Sequence, residues 1–191
     1  TPMKNAGEGG YRLAWRIEKW TYQGIEGYTN LIKNSSVDQH SLKSVNQALN
    51  KADNLVASGT NKSLLRFEDN PSGYDVDLGI KTSIGSSSYS EVYQFKTNTA
   101  LLSKNSIADA SEQLYTAPSI KRIIEFRLAE IDNILTIKNN ENIKTELKFQ
   151  LFDKGLKPSN NVIIDEFHLI SNNGEKVKVV YQNDNIQFIN L

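Results

Sequence analysis

The chain has no cysteine, two histidines, one methionine and two tryptophans among its 191 residues. Without cysteine there is no disulfide framework, thiolate zinc site, iron–sulfur cluster or thiol nucleophile. His40 and His168 are too few for a histidine-rich metal centre, and they make a Ser-His-Asp triad a poor match. Any metal held by this chain would be a hard cation bound through oxygen. Also missing is an apolar run of about 18 or more residues, so no membrane span is expected, and the first ten residues lack the apolar stretch of a secretory signal. An excess of one charge is absent too: 22 Lys and Arg balance 22 Asp and Glu. That balance excludes a uniformly basic nucleic-acid coat but leaves room for a local basic groove. The many Asn are scattered and form no prion-like tract. The length suits one domain with a real core.

What is present changes character along the chain. From Tyr11 to Lys33, Leu13, Ile17, Trp20, Ile25, Tyr28, Leu31 and Ile32 recur at roughly helical spacing, with a break expected near Gly24–Gly27. A second helix follows Ser41 on the stripe Leu42, Val45, Leu49, Leu55 and Val56, and Ser58–Gly59 ends it. Between Lys62 and Thr97 the period becomes two. Turns at Asn70–Gly73 and Gly85–Ser88 divide this stretch into three strands, expected as an antiparallel meander. Ala108–Tyr115 reads as a helix entered at Ser106 or Asp109 and closed by Pro118. The run Ile120–Leu128 fits a buried strand or a helix, with strand preferred here. Glu141–Leu151 is in helical register. Val162–Ile170, Asn172-Asn173-Gly174 and Lys176–Tyr181 form a hairpin pattern, and Ile186–Leu191 adds one more strand. The expected architecture is a single mixed α/β (α+β) domain: a helical part at 1–59, a core at 60–130, and a helix plus hairpin at 131–191.

The pattern that carries chemistry lies in the meander. On a strand, residues two apart share a face. Asp75 and Asp77 therefore point one way, as do Gln94 and Lys96 on the next strand, and pairing of the two strands brings these groups together. A buried aspartate and lysine are costly without partners, so the cluster points to a metal, water or phosphate. Each residue also has a plainer reading. Asp77 suits a strand-end turn, Gln94 and Lys96 suit a solvent face, and Glu18 suits pairing with Arg12 or Arg16 on an exposed helix.

In this order of elements the sequence resembles the PD-(D/E)XK nuclease superfamily. There a helix carries Glu, a strand carries Asp, and a neighbouring strand carries (D/E)-X-K before another helix. Here Glu18, Asp77 and Gln94-Phe95-Lys96 occupy those places, with Gln94 departing from the acidic position as in the Q-X-K variants. The resemblance covers about Tyr11 to Leu128. It implies a restriction-endonuclease-like mixed sheet with flanking helices, and Mg²⁺ or Mn²⁺ bound by Asp77 and Gln94 with help from Glu18. It also implies that Lys96 orients the attacking water and offsets charge on the phosphate. Asp75 and Glu91 are alternates, although Glu91 needs a bulge to leave the opposite face.

Lys104, Gln113, Lys121 and Arg122 are candidate nucleic-acid contacts, Arg127 could extend a phosphate groove, and Trp15, Trp20 and Tyr22 are weighed as base-stacking residues against a place in the core. His168, with no nucleophile nearby, reads as structural. The overall plan is similar to C-terminal toxin domains of polymorphic bacterial toxins, including contact-dependent growth inhibition systems. That likeness implies a tRNA or DNA substrate, a cognate immunity protein and delivery into a target-cell cytoplasm. The alternatives are a noncatalytic binding module on the same fold and a restriction- or repair-type DNA endonuclease.

Overall fold

The computed structural model describes residues 22–34, 39–98, 100–153 and 164–191. Two helices come first, α1 (Tyr28–Asn34) and α2 (Gln39–Ala57). α2 forms because Leu42, Val45, Leu49 and Ala52 recur on one side and are buried there. Ahead of α1, Gly24 and Gly27 both take positive φ, at +87° and +80°, so the expected break is real in its described part. At Gly27 no side chain fits, since a Cβ would lie 1.6 Å from the Phe67 carbonyl oxygen. Glycine there lets the segment dock on the edge of the sheet, where Glu26 bridges Arg66.

Seven strands follow in one sheet ordered as in the chain: β1 (Leu65–Asp69), β2 (Val76–Lys81), β3 (Tyr89–Thr97), β4 (Ser119–Arg127), β5 (Glu166–Ile170), β6 (Lys176–Gln182) and β7 (Asn185–Asn190). β1 to β3 form the expected antiparallel meander, and β5 to β7 a second one. β4 runs parallel to both β3 and β5. Parallel neighbours need crossovers. α3 (Lys104–Leu114) makes the first, and α4 (Ile134–Lys138), α5 (Glu141–Lys148) and a π-helical turn (Phe149–Asp153) belong to the second. The central run, expected as strand or helix, is the strand β4, buried on both faces from Ile123 to Phe126 while Ile120 at its start is exposed. Ile123 packs on the α2 side, and Ile124 and Phe126 on the side of α3 and α5.

Two cores result. Phe67, Leu78 and Phe95 meet Leu31, Val45 and Leu49 under α1 and α2, while Val92, Phe126 and Phe167 meet Ile107 and Leu147 under α3 and α5. No helix among the described residues is long and apolar enough to cross a membrane.

Several expectations need correction. α3 starts at Lys104, a turn before the entry expected at Ser106 or Asp109. Ser103 caps it, accepting from the Ser106 N–H at 3.2 Å while the Ser106 hydroxyl accepts from the Ser103 N–H at 3.1 Å. The helix expected to reach Leu151 is α-helical only to Lys148. α4 was not expected; its five residues are too short for periodicity, and only the Asn133 cap on the Thr136 N–H marks it. Of the two readings weighed for Tyr22 the core one holds, since its ring is buried against Tyr28 and Phe67. Glu18, Trp15 and Trp20 lie outside the described residues.

β4 offers an internal test of this burial. Phe126→Ala should cost about 3–5 kcal/mol in urea unfolding, and Ile120→Ala, at an exposed position of the same strand, less than about 0.5 kcal/mol.

Candidate functional site

The antiparallel ladder of β2 and β3 runs from Lys81↔Tyr89 to Leu78↔Tyr93. Beyond it the Phe95 N–H donates to the Asp77 carboxylate at 2.6 Å. At this end of the ladder the side chain of Asp77 is fixed by the backbone of β3. The period of two along β3 sends Tyr93 and Phe95 under α2 and turns Gln94 and Lys96 to the other face, with Val92, toward α3. Gln94 is buried and Lys96 partly exposed.

Asp75, just ahead of β2, is tied to α3 twice. Its N–H donates to the Gln113 carbonyl at 2.7 Å, and its carboxylate accepts from Gln113 Nε2 at 3.1 Å. An open groove of about 380 Å³ over this junction is lined by Tyr74, Asp75, Lys96, Asp109, Glu112 and Gln113, with Gly73 at its edge. The loop to β2 is itself held from the sheet: Tyr74 and Tyr89 both donate hydroxyl hydrogens to Asp69, which Arg66 pairs at 2.7 Å.

Electrostatically the junction has too many acceptors. Asp77 keeps some exposure, yet its carboxyl sits deep among protein atoms, and that desolvation pushes it up to about 8. The Phe95 N–H and Lys96 pull it back, while Glu68 and Asp75 push it further. Burial also raises Asp75, against the pull of Lys96. Gln94 Oε1 and Gln113 Oε1 are both buried without a hydrogen-bond partner among the described residues. An orphaned acceptor of this kind costs about 1–3 kcal/mol. Two carboxylates and a buried amide oxygen are the donor chemistry of a hard divalent cation, so these residues fit Mg²⁺ or Mn²⁺. No group of three or more His, Asp or Glu converges among the described residues, so the fit rests on that mixed set.

The other candidates are distributed differently. Glu91 stays on the opposite face of β3, where it accepts the Tyr93 hydroxyl hydrogen. Lys104 is exposed at the first position of α3. Lys121 pairs with Glu166 at 3.0 Å on the α2 side of the sheet. Arg122 donates to the Leu114 and Ala117 carbonyls at 3.1 and 2.7 Å, closing the end of α3. Of the four candidate nucleic-acid contacts, Gln113 alone joins Asp75.

A second polar cluster, not expected from the residues alone, lies on the α2 side of β4 to β6. Burial resists ionisation of Glu125, but His168, Lys51 and Lys176 outweigh it and hold the carboxyl down at about 2. Lys51 and Lys176 stand 3.1 and 3.4 Å away. His168 Nε2 is 2.8 Å from Glu166, in keeping with a structural role. Its signal is the cross-strand register Glu125↔His168↔Lys178, visible only once the parallel pairing is known.

Comparison of the chain with protein-family models, with curated proteins and with solved structures returns no match in any of the three.

The raised Asp77 carboxyl gives the cation-free protein a signed pH dependence. The folded state keeps a proton that the unfolded state releases near 3.8, so its contribution is full below that value and is lost as pH rises through about 8. In chelator, the urea midpoint of the wild type should fall relative to Asp77→Asn between pH 5 and 9, and a difference that stays flat contradicts the assignment.

Proposed function

We propose that this chain is a metal-dependent phosphodiester hydrolase acting on nucleic acid. The observation that carries the reading is the buried Gln94 Oε1, without a hydrogen-bond partner among the described residues and on the same face of β3 as Lys96, together with the two carboxylates of Asp75 and Asp77 that burial has raised and Lys96 pulls back. Asp77, Gln94 Oε1 and Asp75 would hold Mg²⁺ or Mn²⁺, with the Phe95 N–H and Gln113 Nε2 orienting the two carboxylates. The bound cation supplies Lewis-acid polarisation of the scissile phosphate. Lys96 brings its ammonium to the same groove, where it offsets charge gathering on the phosphate and orients a water for attack. Glu18, outside the described residues, keeps the supporting role that the family resemblance implies.

The finer reading is a bacterial toxin domain, with tRNA or DNA as substrate and an immunity protein as partner, and it rests on that resemblance. Near-neutral charge favours a shaped groove over a general basic field, which suits selective tRNA recognition better than indiscriminate DNA degradation.

Cleavage of total tRNA and of plasmid DNA, in Mg²⁺, Mn²⁺ or chelator, tests the proposal. The wild type should cut one of them only with metal, and Asp77→Ala and Lys96→Ala should each lower the rate by about 10²-fold or more. Absence of cutting by protein that is folded by circular dichroism would favour the noncatalytic binding module.

A further inference from the structure

On the opposite face of the sheet, a cavity of about 320 Å³ lies between α2 and the ends of β3 and β4. α2 contributes Lys43 and Gln47, the residue after β3 contributes Asn98, and the last residue of β4 contributes Arg127. The register Thr97↔Arg127 and the Asn98 N–H bond to the Arg127 carbonyl at 2.9 Å fix the two strand ends side by side.

The unpaired groups here have the opposite sense from those at Asp77. Thr97 donates its hydroxyl to Gln47 Oε1 at 3.1 Å, which leaves Gln47 Nε2 to find an acceptor elsewhere. It finds none among the described residues: Gln47 is 7% exposed, and its Nε2, like Asn98 Nδ2, is buried without a partner there. Lys43 and Arg127 make no ion pair among the described residues, whereas Lys51 and Lys176 nearby are engaged by Glu125. Glu130, the carboxylate in the lining, is exposed. Two free cations and two orphaned N–H donors around one cavity call for a ligand with several acceptor oxygens and negative charge.

We propose that this cavity is an oxyanion subsite that takes a phosphate group. Lys43 and Arg127 neutralise its charge, and the Gln47 and Asn98 amides at the floor supply hydrogen bonds to its oxygens. The phosphate belongs either to a nucleic-acid backbone or to a free phosphate ion. A backbone source is geometrically open, because Lys96 and Thr97 are consecutive residues on opposite faces of β3, so the two sites flank one strand end. The subsite does not depend on the cation site or on hydrolysis.

Calorimetric titration in chelator tests it, with inorganic phosphate and with a dinucleoside monophosphate that has no terminal phosphate, against chloride at matched ionic strength. The wild type should bind at least one of the two probes. The double variant K43Q/R127Q should bind it about tenfold or more weakly, and D77N should bind within twofold of wild type. Binding of both probes identifies a backbone phosphate, and binding of inorganic phosphate alone identifies the free ion. Should the double variant unfold by circular dichroism, K43Q alone, at an exposed position, should still weaken binding about threefold or more. The proposal is overturned if the wild type binds neither probe, if the folded lysine and arginine variants bind as wild type does, or if D77N weakens binding as much as they do. None of these readouts requires cleavage, so failure of the nuclease reading leaves the result interpretable.

Discussion

β3 is the strand on which the rest of the molecule depends, because helices pack against both of its faces and bury most of its length. Its α2 face carries Tyr93 and Phe95, which pack under the second helix. Its other face carries Val92, then Gln94 and Lys96, and must be covered by α3. A strand in that position normally reads as continuous apolar sequence, since every polar side chain brings a desolvation cost. Placing Gln94 and Lys96 there makes sense only if the neighbouring elements supply them with partners. β2 does so in part: Asp77 and the nearby Asp75 act electrostatically on Lys96, whereas Gln94 Oε1 has no hydrogen-bond partner among the described residues.

The same strand end sorts polar groups by sign. On the α3 face, unpaired oxygens and raised carboxyls accumulate; on the α2 face, unpaired nitrogens and free cations do. Full pairing within the protein would have stabilised it, since buried polar groups are nearly always satisfied. Orphans of opposite sense, separated by one strand, are the arrangement expected for a cation on one side and an oxyanion on the other. Elsewhere the chain pairs its buried charge, as Glu125 shows between Lys51, Lys176 and His168. Glu125 Oε1 and His168 Nδ1 also lack hydrogen-bond partners among the described residues, but there the ion pairs with Lys51 and Lys176 offset the carboxylate's charge.

Much of the fold was legible in the sequence because the period changes sharply. The alternation in 62–97 and the stripe in 42–56 gave the meander and α2, and Asn-Gly marked the turn between β5 and β6. Less was legible where two signals competed. Ser103 and Ser106 offer the same capping chemistry, and only their reciprocal bonds show which begins α3. The parallel placement of β4 has no local signature, so the register that buries Glu125 beside His168 could not be read from spacing. At the site, a shared face for Gln94 and Lys96 follows from strand geometry alone. The link from Asp75 to Gln113, 38 residues away, depends on how α3 crosses the sheet. The same crossing explains why Arg122, a sensible phosphate contact on paper, is spent on the carbonyls at the end of α3.

Electron paramagnetic resonance of free Mn²⁺ tests the proposed divalent-cation site of Asp77, Asp75 and Gln94 without reference to any substrate. At pH 8 the folded wild type should remove Mn²⁺ from solution with a stoichiometry near one. Binding should weaken about tenfold or more on lowering the pH to 6, as the Asp77 proton competes, and should be lost in Asp77→Asn. Folded wild-type protein that leaves Mn²⁺ free at pH 8, or an Asp77→Asn variant that binds it equally well, would contradict the account.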